Sequence, residues 1–124
     1  VSGSDVQVEE VKFRDIADKA ISVGEDSRLT GRHLQMENVN FGMVSKDRSQ
    51  GMLEDATIDN ARVAGLAVYI KKPAYGPASL RASNIRFSDT PAERYTLIQT
   101  GSWIELEGRR LSGTDIDVDA LYQQ

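Results

Sequence analysis

The chain has no cysteine, which removes disulfides, thiolate nucleophiles and thiolate metal sites from consideration at once. It has one histidine, His33, so general-base or serine-hydrolase chemistry would have to recruit that single imidazole. No local pattern supplies an orienting partner for it, and no Gly-x-Ser-x-Gly elbow occurs. Uncharged runs fall far short of the roughly 20 apolar residues of a membrane helix. Arg/Lys clusters interleaved with aromatics are also missing, and the net charge of −4 offers no general attraction to nucleic acid. Neither membrane insertion nor a nucleic-acid partner is expected. Helical periodicity is not sustained over any long window, and 3 prolines punctuate only two segments, at Pro73, Pro77 and Pro91.

What the sequence has instead is a repeat. An apolar-x-apolar triplet, two polar residues and a second triplet occur at Val6-x-Val8/Val11-x-Phe13, Leu34-x-Met36/Val39-x-Phe41 and Ala56-x-Ile58/Ala61-x-Val63. The pattern returns at Leu80-x-Ala82/Ile85-x-Phe87 and, weakened by glycine, at Leu111-x-Gly113/Ile116-x-Val118. Alternation at period two makes each triplet a short strand with one apolar face. Between the triplets the inward parity shifts by one, which a flat strand cannot do without turning its apolar set outward. A sharp bend is required there, and its slot holds Asn38, Asn60, Asn84 and Asp115, with Glu10 in the first copy. Asn and Asp tolerate the left-handed backbone best among non-glycine residues.

A third strand follows each pair, at Ile21-x-Val23, Met43-x-Ser45, Leu66-x-Val68 and Tyr95-x-Leu97. Three strands per roughly 22-residue turn is solenoid arithmetic. The expected fold is all-β: a right-handed parallel β-helix of about four to five short coils, the hand following from the crossover rule, with residues 1–124 as one domain. An antiparallel β-sandwich also has short, regularly spaced strands, but it does not demand Asn at one fixed phase.

Three segments carry a family resemblance: Asp18-Lys19-Ala20-Ile21-Ser22-Val23-Gly24-Glu25-Asp26-Ser27, Gly65-Leu66-Ala67-Val68-Tyr69-Ile70-Lys71-Lys72 and Ile116-Asp117-Val118-Asp119-Ala120-Leu121-Tyr122. Over about residues 9 to 122 the chain resembles the right-handed parallel β-helix region found C-terminal to CotH-like kinase domains of bacterial surface proteins, within the pectin-lyase-like superfamily. The resemblance implies an extracellular or cell-surface location beside an upstream domain of the same polypeptide; with no catalytic constellation among its residues, the chain is expected to be a non-catalytic structural or carbohydrate-contacting module. The start at Val1-Ser2-Gly3-Ser4, with neither initiator Met nor signal segment, is expected of a domain excised from the C-terminal end of a larger protein. Kinase machinery is not implied, because neither a Gly-rich phosphate loop nor a catalytic-loop signature lies in this segment.

Candidate sites follow from loops and columns. The segment from Tyr69 through Lys71 and Lys72 to Tyr75 joins aromatics to cations, the composition of a sugar-contacting loop. Aligning the second triplets places Lys12, Asn40, Arg62, Arg86 and Asp117 in one outward column, so Arg62 and Arg86 are expected neighbours. They would form an exposed ion-pair ladder or a basic strip for an acidic polysaccharide. Asp115, Asp117 and Asp119 share one parity, a weak calcium candidate that lacks the six or more oxygens this ion takes; no other cofactor is expected. Glu105 and Glu107 would blunt the terminal coil against edge-to-edge pairing, and Trp103, outward in phase, would seal it. The alternative function, a polysaccharide lyase or hydrolase fragment acting on an acidic glycan, would need carboxylates and a basic residue in a walled cleft.

Overall fold

The structure is a computed structural model that describes residues 4–113. Its strands are β1 (Asp5–Glu9), β2 (Lys12–Val23), β3 (Arg28–Lys46), β4 (Gln50–Tyr69), β5 (Ser79–Ser88), β6 (Thr96–Ile98), β7 (Trp103–Leu106) and β8 (Arg109–Ser112). All pairings except the last are parallel: β1 and β2 both lie beside β3, β3 beside β4, β4 beside β5 and β6, and β5 beside β7. This is a parallel β-solenoid of about four turns, as expected from the repeat. Successive coils are offset by 23, 22, 29 and 24 residues.

β3 and β4 contain 19 and 20 residues, far beyond the usual strand length of about 5–6. They wrap the solenoid because single left-handed residues bend them. One corner column is Glu10, His33, Asp55 and Asn84; a second is Asp15, Asn38, Asn60 and Asp89; the third uses the pairs Glu25-Asp26 and Asp47-Arg48. All have φ between 45° and 62°. The corners divide each coil into face A (5–9, 28–32, 50–54, 79–83, 103–106), face B (12–14, 35–37, 57–59, 86–88) and face C (19–23, 41–46, 64–69, 96–98).

The strand register corrects the phase read from the triplets. Leu80 and Ala82 pair with Gly51 and Leu53, and Ile85 and Phe87 with Ala56 and Ile58. Val6 and Val8 likewise pair with Leu29 and Gly31. The expected Asn slot therefore merged two corner columns. The physical cause is glycine in the inward slots of face A: with Gly31 and Gly51 there, the apolar signature of that strand vanishes in the two central coils. A Cβ on Gly31 would lie 2.8 Å from Leu34 Cδ1 and 3.3 Å from Leu53 Cδ1, so neighbouring leucines fill the space that glycine leaves. On face C, Thr96 and Ile98 stack on Leu66 and Val68, one residue later than Tyr95-x-Leu97. Leu111-x-Gly113 does not start another coil, because β8 turns back antiparallel on β7, setting Leu111 beside Ile104.

The main core fills the interior with Leu34, Met36, Leu53, Ile58, Leu66, Leu80 and Ile104. A second buried cluster, Phe41, Val44, Ala64, Ala67 and Tyr69, forms from the alternate residues of face C. At the third corner a column of serines repeats: the Ser27 N–H donates to Ser49 Oγ at 3.2 Å, Ser27 Oγ donates to the Gly24 carbonyl at 2.7 Å, and the Ala78 N–H donates to Ser102 Oγ at 3.0 Å. These hydroxyls satisfy backbone groups where the chain leaves the ladders. The final coil is covered by β8 on face A. Among the described residues β1 and β2, by contrast, pair on one side only, and Val6, Val8, Phe13 and Ile16 are half-buried.

Candidate functional site

The outer side of face A carries two columns of polar, cationic and aromatic side chains. Leu29, Gly51, Leu80 and Ile104 point inward, so the residues flanking them, Arg28, Gln50, Ser79 and Trp103, form one outward column across successive coils. Two residues further along, Thr30, Met52, Arg81 and Glu105 form the next. Neighbours within a column are about 4.8 Å apart, the inter-strand spacing. Between the columns lies a cleft of about 310 Å³ lined by Arg28, Thr30, Gln50, Met52, Ser79, Arg81 and Trp103. A smaller one of about 180 Å³ adjoins it and shares Met52 and Arg81.

Trp103 is half-buried and braced by two guanidinium groups. Arg110, on β8, sits 4.0 Å from the ring centroid, and Arg81, one coil below, sits at 5.4 Å. Both lie in the range of cation–π attraction. Arg81 Nε also approaches Glu105 at 3.5 Å. Arg28 makes no ion pair among the described residues, whereas the next arginine along the face, Arg32, is held by Glu54 at 3.0 Å. An indole, hydroxyl and amide groups and cations side by side on a parallel sheet can meet a ligand that offers both apolar faces and polar edges.

The residues expected to contact sugar are placed elsewhere. Tyr69 is fully buried in the outer cluster of face C, so its ring is not a platform. The following loop is anchored by Asp47, itself 1% exposed. The carboxylate Oδ1 accepts the backbone N–H groups of Lys71 and Lys72 at 2.8 and 2.7 Å, while Oδ2 is buried with no hydrogen-bond partner. The Lys72 ammonium pairs with Glu25, which holds its pKa above the ordinary lysine value. Lys71 is exposed and Tyr75 half-buried. Arg62 donates to Asn40 Oδ1 at 2.7 Å and to the Ile16 carbonyl at 2.9 Å. Arg86 pairs in register with Thr57, not with Arg62. The expected Arg62–Arg86 neighbourhood is therefore absent, a consequence of the phase slip described above. None of these residues lines the face A cleft.

Arg86 instead borders a second cleft of about 310 Å³ with His33, Gln35, Asp55, Thr57 and Asn84. Here the fold supplies the partner that sequence did not: His33 Nδ1 lies 3.6 Å from Asp55 Oδ2, and Asn84 Nδ2 donates to Asp55 Oδ1. All three occupy one corner column. The His33 and Asp55 side chains are 58% and 43% exposed, so water competes for every contact of the pair.

Asp115, Asp117 and Asp119 lie outside the described residues, as does the Asp117 end of the expected outward column. Among the described residues no three His, Asp or Glu side chains converge on a common point, and no helix is long and apolar enough to cross a membrane. Arg28, Gln50 and Arg81 were missed by sequence reading. Their signal was present, but only for a pattern that admits glycine at inward positions. The outward phase of Trp103 was legible; its place beside an open cleft was not. No family model, no curated protein and no solved structure matches the chain.

Proposed function

We propose that the chain is a non-catalytic β-solenoid module of a secreted or cell-surface protein, and that it contacts carbohydrate through the outer side of face A. The observation that carries the reading is Trp103, held by Arg81 and Arg110 at the head of a polar cleft on a rigid parallel sheet. Preorganisation matters here, because ordering flexible side chains costs about 0.5–1.5 kcal/mol each on binding. The ring is braced before any ligand arrives. The four-turn parallel stack and the three quoted segments also support kinship with the right-handed β-helix region that follows CotH-like kinase domains, within the pectin-lyase-like superfamily. An upstream domain of the same polypeptide is the partner this kinship suggests.

A glycan array read with the wild-type chain and with Trp103→Ala is the test. The wild type should retain a subset of glycans, and the substitution should weaken them about fivefold to tenfold, the worth of one aromatic contact. A wild-type chain that retains no glycan would sink the reading.

The second reading is a polysaccharide lyase or hydrolase fragment, favoured by one observation: the His33–Asp55 pair beside Arg86 in the corner cleft. The exposure of that pair weighs against it, since catalytic acid–base groups gain their tuned pKa values from burial and fixed neighbours. Product release from an acidic polysaccharide would decide in its favour.

A further inference from the structure

We propose that Arg81 selects anion-bearing sugars at the face A cleft, and that Glu105 restrains it by competing for the same guanidinium. The inference rests on the carbohydrate reading and adds the charge of the ligand to it. Among the described residues Arg81 is the only cation that lines both the larger cleft and the one adjoining it along the strands, so a ligand that spans the two clefts passes its guanidinium. Its distance to Glu105, 3.5 Å, exceeds the roughly 2.7–2.9 Å of a good charge-assisted hydrogen bond. An incoming oxyanion therefore replaces a loose ion pair, not a tight one. Both side chains are partly open to water, at 56% and 34%, which keeps the pair weak and the exchange accessible.

The second contact of Arg81, with Trp103, is also the looser of the two at the ring: 5.4 Å against 4.0 Å for Arg110. Arg110 can thus keep the indole in place while Arg81 turns toward a ligand. At the other end of the cleft Arg28 faces outward with no ion pair among the described residues, and the lining between them, Thr30, Gln50, Met52 and Ser79, carries no charge. The cleft is cationic at both ends and neutral in the middle. A guanidinium fork matches the paired oxygens of a carboxylate or a sulfate, so the shared chemistry of the ligand is an anionic sugar.

Calorimetric titration tests this with three probes of matched length: an oligogalacturonate, its carboxyl-reduced neutral counterpart and a sulfated oligosaccharide. The first and third distinguish the two anions. For the anionic probe that binds, Arg81→Ala should weaken affinity about tenfold, the scale of a charged hydrogen bond, and Arg81→Lys should recover only part of it. Because Arg81 also braces Trp103, both substitutions should weaken the neutral probe, but by less than the anionic one. Glu105→Gln should tighten anionic binding by about twofold to fivefold, as expected for releasing an exposed ion pair, and leave the neutral probe unchanged. Thermal melting of each variant checks that the fold is retained. Equal weakening of anionic and neutral probes by Arg81→Ala, or no gain from Glu105→Gln, would overturn the proposal. If the wild type binds neutral and anionic probes alike, anion selection fails while carbohydrate contact stands; if it binds neither, the carbohydrate reading fails first.

Discussion

At the scale of single residues the fold depends on backbone conformations that most side chains avoid. Each left-handed L-residue costs about 1–2 kcal/mol, yet Glu10 and His33 adopt it beside the better-suited Asp55 and Asn84. The stack offsets the cost, because each corner sits on the one below and shares hydrogen bonds with it. In the second column Asn60 Nδ2 donates to Asn38 Oδ1 at 2.6 Å, and Asn38 Nδ2 donates to Asp15 Oδ1 at 3.0 Å. Asn60→Val, β-branched at φ 53° and unable to donate, should lower stability by about 1–3 kcal/mol. Asn60→Gly relieves the backbone while losing the side-chain bond, so it should cost less. Urea denaturation of the two variants measures the difference; equal midpoints would mean that the corner conformation is not what Asn60 contributes.

The element scale shows how closely the coils approach one another. On face C the inward row carries Met43 and Leu66, and where the chain enters this row from the corner, Gly42 and Gly65 lie one above the other. A Cβ on Gly42 would fall 2.5 Å from the Gly65 carbonyl oxygen, a backbone atom held by its own ladder and unable to step aside. Gly42→Ala should therefore separate β3 from β4 locally and cost about 1–3 kcal/mol, the usual penalty of overpacking, read as a lowered melting temperature. A substitution that left the melting temperature unchanged would show that the two strands can part at no cost. Asp47 acts at the same scale, tying the loop after β4 to the third corner through two backbone N–H groups.

For the whole molecule, stability is distributed along one axis. Each coil touches mainly the coils above and below, so the solenoid behaves nearly as a one-dimensional array. Its two ends differ. β8 folds back along the last face A strand, while among the described residues β1 and β2 are paired on one side and Val11 is 36% exposed. Amide hydrogen exchange should therefore be fastest in β1 and the N-terminal half of β2 and slowest in β3 and β4, which have partners on both sides. Uniform exchange along the axis would contradict the array picture. The same linear arrangement places the face A cleft across coils 22 to 29 residues apart in sequence, so the site exists only after stacking.

Sequence by itself determined the class of fold, because period-two triplets, a parity shift and Asn at the bend are local facts that only a coiled chain reconciles. It also determined the interior of face C at Ile21, Met43 and Leu66, where large apolar residues mark the strand without ambiguity. Tertiary structure decided the phase between coils. Two corners of each coil use the same chemistry, and glycines at Gly31 and Gly51 hide the strand that would have told them apart. Phase in turn decided the site: it separated Arg62 from Arg86, gave His33 its Asp55 and brought Arg28, Arg81 and Trp103 to one surface. Inward slots are specified by hydrophobic burial, which any strand can read from its own residues. Outward neighbours are specified only by register, which belongs to the stack.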